Sequence, residues 1–464
     1  MKNKVIALIL SACFFLSACG AKAPEQLGLD EPVKPVDNLN TKETKEYTEG
    51  GEKATVIREY AAPDGLCNIK VTDAYFDVTL NEEDAIPFEV GLAYGAAVKE
   101  VCPNYAQILE PYLFDSIRSA FSNLDGNYKA VEVRTNTLFA GLDNRYKQEI
   151  DGFAKGIGAT GNGIAQDGVL TETEVKLAQI GPDCLRQTAC SGLSLWGQKT
   201  YTGDTLAVRC LEWLLGKDKS ICTLHTVLHV RNKDKSFTSI GFLGMLNVVS
   251  GINDNGLFAA ILDVDTKREY ACENKACYSF AVRHILEEYD NATDAGNYMV
   301  DNSENFTFSH NVMLTDGKHS YCAEDTCEKR KDDEKGYSVL RDNKTPLMKD
   351  LKLDNPDSLC IVNAYVTENN YDAISGNAVN AVKFAKYNRW VAERDKFSMT
   401  ALKDMMTQEV VDSENSGSKV VENVHSKYLT QMILLDYHQG SVQAAFTGVD
   451  GVTDKPVFYE IAEF

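Results

Sequence analysis

From Pro87 to Phe121 the chain reads PFEVGLAYGAAVKEVCPNYAQILEPYLFDSIRSAF, with apolar residues returning every three or four positions. That is the period of an amphipathic helix. Residues 145–180, RYKQEIDGFAKGIGATGNGIAQDGVLTETEVKLAQI, read as a helix, a glycine-rich turn and a second helix capped near Thr171. The turn lacks the Lys-Ser/Thr pair of a phosphate loop and follows no strand, so it reads as an ordinary loop. Its DGVLTETE end lacks the alternating oxygen ligands of a calcium loop. The pattern therefore predicts a largely helical segment from about residue 60 to 185.

After Cys190 the period shortens. CSGLSLWG, TLAVRCLEW, CTLHTVLHVRN, FTSIGFLGMLNVVSGIN and LFAAILDVD are short apolar runs broken by Gly, Asn and Asp, which is the pattern of strands and turns. CYSFAVRHILEEYDNATDAGNYMVDN reads as one or two helices, and HNVMLTDGKHSYCAE and LCIVNAYV as strands. NAVKFAKYNRWVAERDKFSMTALKDMMTQEV is helical again, and YLTQMILLDYHQGSVQAAFTG and VFYEI close the chain as strands. This alternation predicts an α+β layered architecture, sheets in the middle and helices outside. No internal repeat is visible.

The first residues, MKNKVIALILSACFFLSACGAK, carry two lysines and then an apolar run, the layout of a secretory signal. The run is too short to span a membrane in the mature chain. It ends Leu16-Ser17-Ala18-Cys19-Gly20, which looks like a bacterial lipobox, with Cys19 as the lipidated residue; plain secretion after a small-residue cleavage site is the alternative. The expectation is a protein anchored to the membrane through a lipid on Cys19, in the cell envelope, facing the periplasm or the exterior. The sequence divides into a signal (1–18), a flexible Pro-, Glu- and Lys-rich tether (19–58), a helical segment (59–189) and a strand-rich domain (190–464).

Composition narrows the partners. A formal charge of -21 argues against nucleic acid or an anionic lipid face. There are 13 cysteines; removing Cys13 with the signal and Cys19 to the lipid leaves eleven, an odd number that asks for one unpaired thiol. Disulfides are expected, with Cys272/Cys277, Cys322/Cys327 and Cys210/Cys222 as close pairs and Cys67, Cys102, Cys184 and Cys360 able to supply two more bridges, but sequence does not fix the connectivity. C-x-x-C pairs are absent and the histidines do not cluster in sequence beside the cysteines, so no zinc signature is read.

Four segments carry the candidate chemistry. ACSGLSLWG contains Cys190, RCLEW contains Arg209 and Glu212, NVVSGINDNGLFAA contains Asn253, and HNVMLTDGKHSYCAE contains Asn311. Each has a plain structural reading: half of a disulfide, a surface ion pair, a turn residue, a strand-edge cap. Taken in order, they resemble the isopenicillin-N acyltransferase family of N-terminal-nucleophile cysteine hydrolases, over roughly residues 85–445. The broader group with bile-salt hydrolases, penicillin V acylases and ceramidase-like amidases shares the order. The resemblance rests on a helical pro-segment before a Cys-Ser pair, a Thr202-Gly203-Asp204 turn, the Arg209-Cys210-Leu211-Glu212-Trp213 strand end, the Gly251-to-Leu257 turn, and Asn311, Leu314, Asp316, Gly317 and Glu324.

The resemblance implies a four-layer αββα sandwich and self-cleavage between Ala189 and Cys190. The new α-amino group would have an ordinary pKa of about 7.7–8.0, suited to a general base for the thiol on the same residue. Glu212 would stand for the family's aspartate, held by Arg209, which also tunes the thiol. Asn253, and the backbone around it, would donate to the oxyanion. Asn311 would orient the amine or complete the oxyanion hole. Arg389, or Lys386 in another register, would be the family's late arginine. Asn363 in VNAYV resembles a T-N-H segment of relatives. The implied activity is cleavage of a linear amide, in a small molecule or peptide, through a thioester, or acyl transfer. No metal or organic cofactor is implied. A bile-salt or penicillin acylase-like enzyme and a non-catalytic surface lipoprotein are the alternatives.

Overall fold

The computed structural model describes residues 47–121, 128–185, 190–265, 270–328, 338–349, 351, 353, 355–368, 370, 378–408 and 424–464. The signal, Cys19 and Ala189 lie outside these residues. The chain begins with strands β1 (Val56–Ala61), β2 (Cys67–Thr72) and β3 (Phe76–Asn81). Helices α1 (Pro87–Val101), α2 (Tyr105–Ala120), α3 (Lys129–Gly141), α4 (Asn144–Ile157), α5 (Glu172–Gln179) and α6 (Gly181–Leu185) follow. Next come β4 (Ser191–Leu195), β5 (Leu206–Glu212), β6 (His225–Arg231), β7 (Phe237–Phe242), β8 (Ser250–Asn253) and β9 (Phe258–Asp263). After α7 (Tyr278–Glu288) and α8 (Ala292–Asp301) lie β10 (His310–Thr315), β11 (Ser320–Asp325), β12 (Val339–Arg341) and β13 (Ser358–Val362). Helices α9 (Ala378–Glu393) and α10 (Met399–Met406) precede β14 (Leu429–Asp436), β15 (Ser441–Phe446) and β16 (Tyr459–Glu463).

The strands form two sheets, ordered β1-β2-β3-β6-β7-β8-β9-β10-β11-β12 and β13-β4-β5-β14-β15-β16. Their inner faces meet: a Cβ on Gly192 of β4 would lie 2.5 Å from Met313 Sδ of β10. Helices α7 and α8 cover the outer face of the larger sheet, and α9 and α10 that of the smaller. The layers are thus αββα, as expected. Strand alternation sorts the side chains. On β14, Ile433 and Leu435 enter the core between the sheets, whereas Met432 and Leu434 pack under α9 and α10. Among the described residues no helix is long and apolar enough to cross a membrane.

The expected helical character of residues 59–185 holds only from Pro87 onward. Three strands precede it, of which β2 and β3 carry the period-two signal, with Cys67, Ile69, Val78 and Leu80 buried, while β1 is mostly exposed. They enter the larger sheet because β3 pairs parallel with β6. The end of the expected tether is also docked: Glu52 bridges to Tyr459, and Lys403 Nζ donates to Thr48 O at 2.9 Å. Thr171 caps α5 as expected, in a reciprocal capping box with Glu174.

Helices α1 and α4 cross with their backbones in contact. A Cβ on Gly91, Gly95, Gly152 or Gly156 would come within 2.0–2.3 Å of a carbonyl oxygen of the opposing helix. Four mid-helix glycines cost roughly 1 kcal/mol each in propensity, and the close contact offsets that cost. Helix α4 is also tied to α7. The buried Arg283 guanidinium meets both oxygens of Glu149 at 2.5 and 3.0 Å, Glu287 at 2.8 Å and Glu82 at 2.8 Å.

The disulfide expectation is corrected. The eleven cysteines from Cys67 to Cys360 are all thiols in this structure. Cys210 belongs to the core under α9 and α10, and Cys222 to the core on the other side of the smaller sheet. Cys322 faces Arg341, whereas Cys327 faces His310 and Asp325. Cys272 and Cys277 are likewise unbridged. Parity therefore does not single out Cys190.

Candidate active site

Cys190 precedes β4, on the face between the sheets, and is fully buried. The β4–β5 register sets Gly192 opposite Arg209 and Ser191 opposite Cys210. Arg209 therefore shares the inner face with Cys190, and its Nη2 donates to the Cys190 sulfur at 3.3 Å and to Ile261 O at 3.0 Å. Ser191 points the other way, its hydroxyl 2.9 Å from that of Tyr387 on α9. Burial pushes the Cys190 thiol pKa up, and the Arg209 charge pulls it down. The guanidinium Nε and Nη1 have no hydrogen-bond partner among the described residues.

Glu212 departs from its expected partner. Positions 209 and 212, three apart on a strand, face opposite sides of the sheet. The Glu212 carboxylate accepts from Lys383 Nζ and Ser426 Oγ, not from Arg209. Its main-chain carbonyl stays near Cys190, 3.8 Å from the sulfur. Glu212 and Lys383 form a buried ion pair.

The main-chain nitrogen of Cys190, the atom that cleavage would turn into an amine, donates to Asn363 Oδ1. Asn363 Nδ2 donates in turn to Asp263 O at 2.5 Å, and Asn380 Nδ2 to Asn363 O at 2.9 Å. Asn311 acts one step back. Its Nδ2 donates to Val362 O at 2.9 Å and Ala364 O at 3.1 Å, the carbonyls on either side of Asn363. Asn311 is thus a positioning residue for Asn363.

Two expectations fail on geometry. Asn253 does not reach Cys190 as a donor. Its Nδ2 donates to Leu286 O and Tyr289 O, and its Oδ1 accepts from the nitrogens of Asn255 and Leu257. Both amide hydrogens are used in holding the C-terminal end of α7, and the amide oxygen holds the turn after β8. Arg389 is one to two turns further along α9 than the lysine that reaches the site, and its charged neighbour is Glu393, 3.8 Å away. Lys386 lies over the Trp390 ring. The cation that meets the Glu212 carboxylate is instead Lys383, a residue without a role in the sequence-based expectation. Its signal was available: Lys383 stands on the same helical stripe as Phe384, Tyr387, Trp390 and Val391, all buried. A lysine on an apolar stripe calls for a buried anion. Ser426 and Asp263 carry no comparable local mark.

No protein-family model and no curated protein matches this chain. Among solved structures, the Caenorhabditis elegans ortholog of N-acylethanolamine-hydrolyzing acid amidase is similar at 10% identity and TM-score 0.36, over 53% of this chain and 92% of that one. A mutant of the conjugated bile acid hydrolase from Clostridium perfringens is similar at 14% identity and TM-score 0.33, over 59% and 97% of the two chains. Penicillin V acylase from Agrobacterium tumefaciens is similar at 9% identity and TM-score 0.33, over 55% and 83%.

Proposed function

We propose that this chain is a self-processing cysteine amidase of the N-terminal-nucleophile type. The observation that carries the reading is that both functional atoms of one residue are held: the Cys190 nitrogen by Asn363 and its sulfur by Arg209. A disulfide or packing cysteine has no need of a buried guanidinium on its sulfur.

In the proposed processing step the Cys190 sulfur attacks the Ala189 carbonyl carbon. The Ala189–Cys190 C–N bond breaks, and the nitrogen takes the proton that the thiol gives up. Water then hydrolyses the thioester, leaving an Ala189 carboxylate and a free Cys190 α-amine. In turnover the amine accepts the thiol proton, the thiolate attacks a linear amide, and the proton passes to the departing amine. Arg209 favours the thiolate, and its Nε and Nη1, which have no hydrogen-bond partner among the described residues, suit the tetrahedral oxyanion. Asn363 keeps the amine lone pair and the sulfur in one geometry. Water as acceptor gives hydrolysis of an N-acyl amide or small peptide; a second amine gives acyl transfer.

Intact-mass measurement and N-terminal sequencing of the purified protein, beside Cys190→Ala, test this reading. Expected are a fragment beginning Cys-Ser-Gly-Leu in the wild type, an uncut variant, and hydrolysis of some member of a fluorogenic N-acyl amide panel by the wild type alone. A wild type that stays uncut overturns it.

A further inference from the structure

Across the β9–β10 pairing, where His310 is the register partner of Asp263, lies a second group of reactive side chains. His310 begins β10, Asp325 ends β11, and Cys327 follows two residues later. The antiparallel register sets His310 directly opposite Asp325. One ligand atom from each of His310, Asp325 and Cys327 lies within 4.8 Å of the others, and all three residues are buried.

The hydrogen bonds around the trio orient two of its atoms. His310 Nδ1 is 2.7 Å from Phe308 O. A carbonyl only accepts, so Nδ1 carries the proton and Nε2 of the neutral ring presents a lone pair. Asp325 Oδ1 accepts from Ser303 Oγ at 2.5 Å, Cys327 N at 3.1 Å and Ser338 Oγ at 3.3 Å. Its Oδ2 is left facing His310 Nε2 at 3.6 Å, and neither atom has a hydrogen-bond partner among the described residues. That separation is too long for a hydrogen bond. Two buried acceptors aimed at each other are unfavourable unless a cation, a metal ion or a proton, lies between them. Cys327, at φ 57°, adopts a left-handed backbone that non-glycine residues rarely take. Such strain is kept where the surroundings hold a residue to one geometry.

We propose that His310 Nε2, Asp325 Oδ2 and Cys327 Sγ bind a divalent cation of the zinc class. The donor set of one imidazole, one carboxylate and one thiolate suits a borderline-soft ion over calcium or magnesium, which take oxygen ligands. Phe308 O, Ser303 and Ser338 are the outer partners that fix ligand orientation in such sites. Binding releases the Cys327 thiol proton. The ion has a structural role: it clamps the end of the β10–β11 hairpin behind the Cys190 site. The Tyr278 ring stacks on His310 at 4.2 Å and its hydroxyl donates to Asp263 Oδ1 at 2.6 Å, while Asp263 O accepts from Asn363.

The test uses the full chain. Protein purified without chelator, then dialysed, is analysed for metal, and chelator-stripped protein is reloaded with zinc or cobalt. Expected are about one zinc per chain and, with cobalt, a near-ultraviolet thiolate-to-metal charge-transfer band. Cys327→Ser should lose that band and bind cobalt at least about tenfold more weakly. An unchanged band in Cys327→Ser overturns the proposal. So does wild-type protein that takes up no stoichiometric zinc on reconstitution; this needs no variant and would leave His310 and Asp325 as a protonated ion pair.

Discussion

Asn363 Oδ1 accepts a hydrogen bond from the main-chain nitrogen of Cys190, and Asn311 grips the carbonyls on both sides of Asn363. A side chain more than 170 residues downstream in sequence therefore fixes the atom that the proposed reaction would liberate. Asn363→Ala should slow self-processing by on the order of a hundredfold, since small misplacements of reacting groups cost that much. Asn311→Ala should slow it less, because Asn311 acts through Asn363. Both rates are read from the time course of the fragment by mass spectrometry. Equal rates in wild type and Asn363→Ala would remove Asn363 from the site.

Lys383 and Arg389 make a paired test. Lys383→Met leaves the Glu212 carboxylate buried with one charged partner fewer. Breaking a buried pair in this way costs roughly 3–5 kcal/mol. Arg389→Ala removes only a partly exposed i,i+4 contact and should fall within about 0.5 kcal/mol of wild type. Urea denaturation midpoints check both.

Asp183 of α6 gives a pH dependence. Burial raises its carboxyl from the ordinary 3.8 to about 7, opposed by the hydrogen bond from Ser279. The folded state binds this proton more tightly than the unfolded chain. Its contribution to stability is therefore fully present below the unfolded pKa of 3.8 and is lost as pH rises through about 7. Asp183→Asn should flatten that slope and stabilise the protein at about pH 8 by on the order of a few kcal/mol. Melts near pH 5 and near pH 8 measure it; parallel slopes in the two proteins would refute it.

The α1–α4 crossing is intolerant of side chains. Gly152→Ala places a Cβ 2.1 Å from Phe88 O, so the helices must move apart. A loss of about 1–3 kcal/mol is expected. Gly181→Ala, with no atom within 4 Å of the new Cβ, is the control and should be near neutral in the same thermal melt.

Much of this protein was legible from period and punctuation. The helices from Pro87 onward, the cap at Thr171 and the strands after Cys190 follow from local spacing, because each element buries one face whatever it packs against. The strands at 56–81 were missed although alternation is present in β2 and β3. The strand that ties them into the larger sheet, β6, pairs with β3 and lies well over a hundred residues further along the chain. Cys190 and Arg209, in neighbouring strands, were found together for the same local reason. Glu212 was found but given the wrong partner, since alternation turns it toward α9, and only the helix packed there supplies Lys383. Asn253 and Arg389 had suitable chemistry in suitable order, and tertiary packing assigned their polar groups elsewhere. The union of His310 with Asp325 and Cys327 depends on a hairpin register. Sequence alone determined which segments from Pro87 onward are helical or extended, because these depend on neighbours in the chain, and the order of its motifs marked Cys190 as the candidate residue. The partners of each buried charge were decided only when the two sheets and their covering helices came together, because burial leaves a charge no solvent and only the groups the fold brings within reach.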